Sequence, residues 1–357
     1  MKYEQNELTA ILVDSFDFLD NKAKREILSL IDGGKDITSA VVSTIGELNK
    51  DNLEEVKKSL NNDYLRSLLQ NLQRVGAVAL TCYSKDYPDD FKEVFEPPIV
   101  VYAKGDLSLL AKEKRIAIVG SRRCLPSDKK HAELYAKELT ENGFVVVTGI
   151  AEGVDASAIK GALATGNVIS ITAGGFDKVY PKENDALFKS VAQKGLCLSE
   201  QRPTVKSMPH MYPYRNRLIA GLSSAVVVVS AGEKSGTLHT VSYALDQGKE
   251  VFALPHDVGS ASGVGSNALI KSGAFLTDTP QDILEYYGVE VKKETKVELE
   301  GFEKELYDII KEEKSVHIDM LAIKTKRQAF TLTPVLSMLE IKGLIAKSAG
   351  NYYTCII

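Results

Sequence analysis

The sequence predicts an α/β protein: a Rossmann-like, doubly wound parallel sheet with an N-terminal helical domain and a C-terminal winged-helix-like domain. Three observations carry this expectation. Between about residues 75 and 288, short runs rich in β-branched residues alternate with amphipathic helical segments. Residues 1–72 show apolar positions at helical spacing and no strand-like run. Residues 301–357 read as three helical segments and a terminal hairpin.

In the first domain, residues 1–72, Leu8, Ile11, Leu12 and Phe16 mark one buried helix side, and Ile27, Leu28, Leu30 and Ile31 another. Gly33-Gly34 breaks the pattern, and Asp51 and Asn52 are placed to cap a helix over 53–60. In the second domain, residues 73–288, the clearest strand runs are 116–119, 144–147, 168–171, 225–229 and 251–254. These runs are apolar on both faces, which predicts a parallel sheet covered on both sides. Residues 289–300, VEVKKETKVELE, are charged and poor in apolar side chains, as a linker is. In the last block the helical segments are 302–311, 318–323 and 331–341. GLIAKSAGNYYT then folds back at an Ala-Gly-Asn turn. Modules of this kind bind DNA in some proteins and other proteins elsewhere, and both readings stand.

Composition sets the outer bounds. Hydrophobic residues make up 44% and charged residues 26%, as in ordinary soluble chains. The first residues carry acidic side chains and no apolar run, which predicts no signal peptide. No stretch is long enough to cross a membrane. Cys82, Cys124, Cys197 and Cys355 lack CxxC spacing and read as reduced thiols, which points to the cytoplasm. His131, His210, His239, His256 and His317 have no metal-ligand spacing, so structural or solvated roles are expected and no metal. The net charge of −4 does not exclude a nucleic-acid partner. Screening confines each charge to about 8–10 Å. The acidic residues crowd into the first sixty positions and 283–313, while basic clusters hold the middle.

Three strand ends run into glycine turns that open helices. IAIVGSRRC at 116–124 offers Gly120, Ser121, Arg122 and Arg123, with the next helix expected near Ser127. TGIAEGVDASAIKGAL contains Gly149 and Gly153, and SAGEKSGTLHT contains Ser235 and Gly236 before Thr237. Helix starts and arginines attract anions, and in a doubly wound sheet all three turns lie at the carboxyl edge, where ligands bind. One such turn is ordinary geometry; three make an anion-binding edge. The spacing fits neither the G-x-G-x-x-G dinucleotide fingerprint nor the phosphate loop G-x-x-x-x-G-K-S/T.

HMYPYRNRLIAGLS at 210–223 sets Arg215, Asn216 and Arg217 among Tyr212, Pro213 and Tyr214. Arginines beside aromatics suit single-stranded nucleic acid, which needs neutralised phosphates and stacking surfaces. The alternative is a helix entrance with arginine-capped carbonyls and a partly buried tyrosine. Asp155, at a helix start, reads first as a cap and second as a cleft carboxylate. Asp177, Tyr180 and Asn184 read as loop organisers, and Lys129, Lys130 and Lys137 as a solvated helix face.

Taken in order, these segments resemble the DprA/Smf DNA-processing family from roughly residue 75 to 288. The matching pieces are DYPDDFKEVFEPPIVVYAKG, IAIVGSRR, TGIAEGVDASAIKGAL, GGFDKVYPKEN, LSEQRP, YPYRNRLIAGLS, SGTLHTVSYALDQGKEVFALP and GVGSNALIKSGA. The helical front, SAM-like, and the winged-helix-like end are similar to that family's flanking modules. The resemblance implies single-stranded DNA binding during natural transformation, loading of the RecA recombinase, and a homodimer formed through the Rossmann-like domain. It implies no catalysis, cofactor or metal. Gly120, Ser121 and Arg122 would hold phosphates, Arg215, Asn216 and Arg217 would flank the groove, and Lys182 would extend it. Ile159, Ser230 and His256 depart from the family's usual residues, in positions expected near the cleft.

The enzyme alternative is a nucleoside-monophosphate phosphoribohydrolase of the lysine-decarboxylase-like type. Its motif P-G-G-x-G-T places a catalytic Glu three residues after the Thr. In AGEKSGTLHT that position is Thr240, so the general acid/base is missing.

Overall fold

The computed structural model describes residues 2–46, 49–289, 299–348 and 350–355. They form two compact units, residues 1–291 and 292–357. The expected linker lies mostly outside the described residues.

The first unit opens with α1 (Gln5–Asp14), α2 (Asn21–Asp32), α3 (Ile37–Ile45), α4 (Lys50–Ser59) and α5 (Asn62–Val75). Short polar side chains set the helix starts: Asp20 accepts from Ala23 N at 2.7 Å and Asp36 from Ser39 N at 3.0 Å. The cap of α4 is Asn49, accepting from Asn52 N at 2.7 Å, so this helix starts earlier than Asp51 and Asn52 suggest.

The remaining elements of the unit alternate. They are β1 (Val78–Thr81), β2 (Val100–Gly105), β3 (Arg115–Gly120), α6 (Pro126–Glu141), β4 (Val145–Thr148), α7 (Val154–Ala162) and β5 (Val168–Thr172). Then follow α8 (Asp185–Lys194), β6 (Leu196–Ser199), α9 (Met211–Leu222), β7 (Ala225–Ser230), α10 (Thr237–Asp246), β8 (Glu250–Ala253), α11 (Val264–Lys271), β9 (Phe275–Leu276) and α12 (Pro280–Tyr286). One nine-stranded sheet results, in the order β1-β2-β6-β5-β4-β3-β7-β8-β9. From β6 to β9 every pairing is parallel, while β2 runs antiparallel to both β6 and β1. The five expected strands are present; β1, β2, β6 and β9 are additional. Strands β1 and β6 have four residues and β9 only two, too brief for a periodicity to register. Strand β2 is as long as β3 and is defined by its antiparallel pairing with β1 and β6.

Alternation along the strands divides the core. Ile116, Ile118, Val146, Val168, Val227 and Val229 face one side, with α6, α7, α8 and α12. Ala117, Val119, Val147, Ile169, Val226 and Val228 face the other, with α9, α10 and α11. The helical front does not keep a core of its own. Ala10, Ile11, Phe16, Ile27 and Val41 join the first of these two layers, and buried Tyr102 of β2 donates its hydroxyl to Asp14 at 2.7 Å. An N-terminal bundle this small gains by borrowing the sheet's apolar surface.

The second unit contains α13 (Gly301–Glu313), β10 (Val316–His317), α14 (Ile318–Thr325), α15 (Ala329–Ile341), β11 (Ile345–Ser348) and β12 (Tyr352–Cys355). Its strands pair antiparallel in the order β10-β12-β11 over Leu306, Ile310, Leu321, Leu332 and Leu336, a winged-helix-like arrangement. Among the described residues no helix is long and apolar enough to cross a membrane.

Candidate nucleic-acid interface

The chain order reverses direction beside β3: β4, β5 and β6 extend to one side and β7, β8 and β9 to the other. Ligands of doubly wound sheets bind beyond the strand ends at this point. A cleft of about 1130 Å³ opens there, bounded by the turns after β3, β4 and β7, the start of α9 and residues 260–262. Arg122, Arg123, Arg215 and Lys234 line it, against the single carboxylate of Asp155 among the described residues. The local charge is therefore opposite to that of the whole chain, whose net charge is −4.

Of the residues expected from sequence, Gly120, Ser121, Arg122, Arg123, Arg215, Asn216, Ser235 and Gly236 border this cleft. Asn216 also donates from Nδ2 to Gly236 O at 3.3 Å, which ties α9 to the third turn. The backbone donors of the first turn are less free than the sequence suggests. Ser121 N donates to Ser230 O at 2.9 Å. Helix α6 begins with Pro126, which has no N–H, and Leu125 N donates to Asp128 Oδ2 at 2.9 Å. Cationic side chains, more than helix-start amides, give this edge its character.

Three expected site residues fall elsewhere. Gly149 lies under the cleft: a Cβ there would come 2.3 Å from Asp155 Oδ2 and 2.6 Å from Arg215 Nη1. Its lack of a side chain makes room for the Asp155 and Arg215 side chains, and it is not part of the cleft wall. Lys182 is exposed in a short 3-10 turn and is not part of the cleft wall. Arg217 is the main correction. It is 0% exposed and grips Glu200 through two bonds, Nη2 to Oε1 at 2.6 Å and Nη1 to Oε2 at 3.0 Å. Its Nη2 also donates to Glu96 O at 3.0 Å, and its guanidinium lies 3.9 Å from the Tyr214 ring centroid. Burial opposes the Arg217 charge, but Glu200 outweighs it and the pKa rises. Asn21 of α2 donates to Glu200 Oε1 at 2.6 Å, so this network joins the helical front to the sheet.

Sequence reasoning under-read the aromatics. The Arg122 guanidinium lies over the Tyr212 ring, 4.7 Å from its centroid, and Tyr180 meets Tyr212 edge-on at 6.2 Å. Tyr180 is 59% exposed. The signal was present in the YPYRNR and VYPKEN segments, but nothing local pairs two tyrosines 32 residues apart. Lys234 was legible only as part of its glycine turn. Asn184 does organise a loop, donating to Ile150 O at 2.8 Å, and Asp177 pairs with Arg74 at 2.5 Å.

Arg215 is 6% exposed, donates from Nη1 to Ile171 O, and leaves its Nε without a partner, as does the buried Tyr212 hydroxyl. Burial lowers the Arg215 pKa, with Asp155 opposing that fall. Burial raises the Asp155 pKa, and Arg215 is the largest influence holding it down. Asp155 Oδ2 accepts from Ala151 N at 3.4 Å, a residue ahead of the helix. Helix α7 has no side-chain cap, so Asp155 stands as the cleft carboxylate and not as the expected cap. The Nε of Arg217, away from the cleft, is buried without a partner in the same way. It is therefore the four cations and the tyrosine faces of the wall that suit an anionic ligand with planar groups to stack.

Of the three departures, Ile159 is in the core at 0% exposure and away from the cleft wall. Ser230 holds the Ser121 amide from below. His256 pairs with Asp128 just outside the wall.

The model of the family described as DNA recombination-mediator protein A matches residues 78–288, the sheet and both arms of the cleft. The chain belongs to that family. The DNA processing protein DprA of Bacillus subtilis is 36% identical over 265 residues, covering 71% of this chain and 86% of that one. The DprA of Streptococcus pneumoniae is 38% identical over 199 residues, 56% of this chain and 70% of its own. The crystal structure of DprA from Streptococcus pneumoniae superposes with a TM-score of 0.69 at 29% identity, over 80% of this chain and 98% of that one. DNA processing protein A from Helicobacter pylori, solved for its single-stranded DNA binding mode, matches with a TM-score of 0.55 at 31% identity. That match covers 59% of this chain and 95% of that one.

Proposed function

We propose that this DprA-family chain binds single-stranded DNA in the cleft beside β3 and helps to load a RecA-type recombinase on it during DNA uptake and recombination. The observation that carries the reading is the Arg122–Tyr212–Tyr180 cluster on a wall holding four cations and one carboxylate. Arg122, Arg123, Arg215 and Lys234 neutralise phosphates, and the tyrosine faces accept bases. The Helicobacter pylori relative's DNA binding mode and the family's description as a recombination mediator support it.

The same reading includes a homodimer and a cytoplasmic site of action. Strand β9 is an unpaired sheet edge whose Phe275 and Leu276 are exposed beside Tyr286, a surface suited to a second copy. It includes no catalysis: Thr240 lines the cleft where the phosphoribohydrolases carry their carboxylate, and Asp155 is engaged with Arg215.

Anisotropy of a labelled oligonucleotide, titrated with salt, tests the binding. Affinity should drop steeply as salt rises, because phosphate contacts release counterions. No binding at low salt sinks the proposal. Nucleoside monophosphates incubated with the protein should release no free base.

A further inference from the structure

Two loops around the cleft meet at a histidine that this reading does not use. His256 follows β8 and begins the loop whose Ser260, Ala261 and Ser262 line the cleft. Its Nδ1 lies 3.1 Å from Leu254 O, and its Nε2 lies 3.3 Å from Asp128 Oδ1. A carbonyl and a carboxylate can only accept, so both ring nitrogens have to donate. Neutral imidazole carries one N–H and the imidazolium two. The side chains are 8% and 4% exposed, which leaves water little access as a substitute partner.

Both ends of this contact are anchored. Asp128 Oδ2 accepts from Leu125 N at 2.9 Å, and Leu125 ends the turn that carries Arg122 and Arg123. His256 N donates to Asn267 Oδ1 at 3.0 Å, and Asn267 Nδ2 donates back to His256 O at 2.9 Å, which fixes the loop base to α11. The backbone of Gly263 closes in on the ring: a Cβ there would come 2.1 Å from His256 Cβ and 2.8 Å from Cδ2. The ring therefore has one place to be. Asp128 is the ionisable side chain it touches. Lys129 follows on α6, Asp257 follows on the loop, and Cys124 feels the charge of Asp128.

We propose that His256 is a positioning residue of the cleft that works as an imidazolium. Protonated, it clamps the 256–263 loop to the Asp128 cap and so holds the Arg122–Arg123 turn around an anionic ligand. Deprotonated, it faces two acceptors with one hydrogen and the clamp loosens. The proposal rests on the reading of the cleft as a DNA site.

The test compares the full chain with its His256→Gln and Asp128→Asn variants, using oligonucleotide anisotropy at constant salt at about pH 6 and about pH 8. In parallel, the ring nitrogens of His256 are observed by ¹⁵N NMR without DNA. Asp128→Asn keeps an oxygen for Leu125 N, so the helix cap survives. His210 and His239 stand near the cleft, so the difference between parent and variant isolates His256. The parent should lose about five-fold or more in affinity toward the higher pH beyond what either variant loses. The ring should show N–H signals at both nitrogens in the parent at the lower pH, and Asp128→Asn should weaken the one at Nε2. Parallel profiles for all three proteins, or a neutral ring at the lower pH, would overturn the proposal. Flattening by His256→Gln but not by Asp128→Asn would also overturn it, since His256 would then act as a distant charge. If the parent binds no oligonucleotide at either pH, the DNA reading fails, and the NMR response to Asp128→Asn decides the clamp alone.

Discussion

On α9, Arg215 and Arg217 lie two residues apart, which is about 200° around a helix. Arg215 borders the cleft, whereas Arg217 turns into the protein and locks onto Glu200, Glu96 and Tyr214; the Nε of each is buried without a partner. Both are buried arginines beside a carboxylate, yet only one faces the space a ligand can enter. Residue type says that a charge is present; helix phase decides whether it is spent on folding or kept for a partner.

The sharpest way to break this comparison is to remove Arg217. Arg217→Ala strands Glu200 in a nearly dry site and should destabilise the protein by about 3–5 kcal/mol, read by urea denaturation. A loss below about 1 kcal/mol would mean that the network is incidental. On the cleft side, Arg122→Ala should leave stability within about 0.5 kcal/mol of the parent. It should weaken single-stranded DNA binding about ten-fold, or about 1.4 kcal/mol, and reduce the salt slope by about one. Parent-like binding would move the site away from the β3 turn. Tyr180→Ala removes an exposed stacking face and should weaken binding by about 1 kcal/mol with the salt slope unchanged. A changed slope would make Tyr180 a positioner of cations instead.

The smallest effect belongs to Asp155. Its folded pKa is raised above the ordinary 3.8, chiefly by burial. The folded protein therefore takes up this proton at a higher pH than the unfolded chain does. That contribution to stability is fully present below the unfolded value and fades as pH rises through the folded one. Asp155→Asn removes this share, so between about pH 3.5 and about pH 7 the melting temperature of the parent should fall relative to that of the variant as pH rises. Superimposable pH profiles would show that Arg215 fully offsets the burial.

Much of the fold was legible along the chain. Five strands announced themselves because a strand buried on both faces must be apolar at every position, as 225–229 is. The three helices and hairpin of the second unit follow the same local rules. The antiparallel strands β1 and β2 were not legible, since a strand at the margin of the sheet owes its state to the neighbours it pairs with. The cleft was legible as glycine turns and arginines, but not as an arrangement.

What the sequence determined by itself was therefore the set of periodic segments, their order, and the concentration of cations near strand ends. Those depend on side-chain chemistry and on spacings within a few residues. Only the tertiary structure decided that Arg217 folds the protein, that Gly149 serves the Asp155–Arg215 pair, and that Tyr180 joins Tyr212. It also decided that the helical front lends its apolar face to the sheet. Each of these depends on a contact between distant residues, and burial and partners, not composition, set what a charge or an aromatic ring can do there.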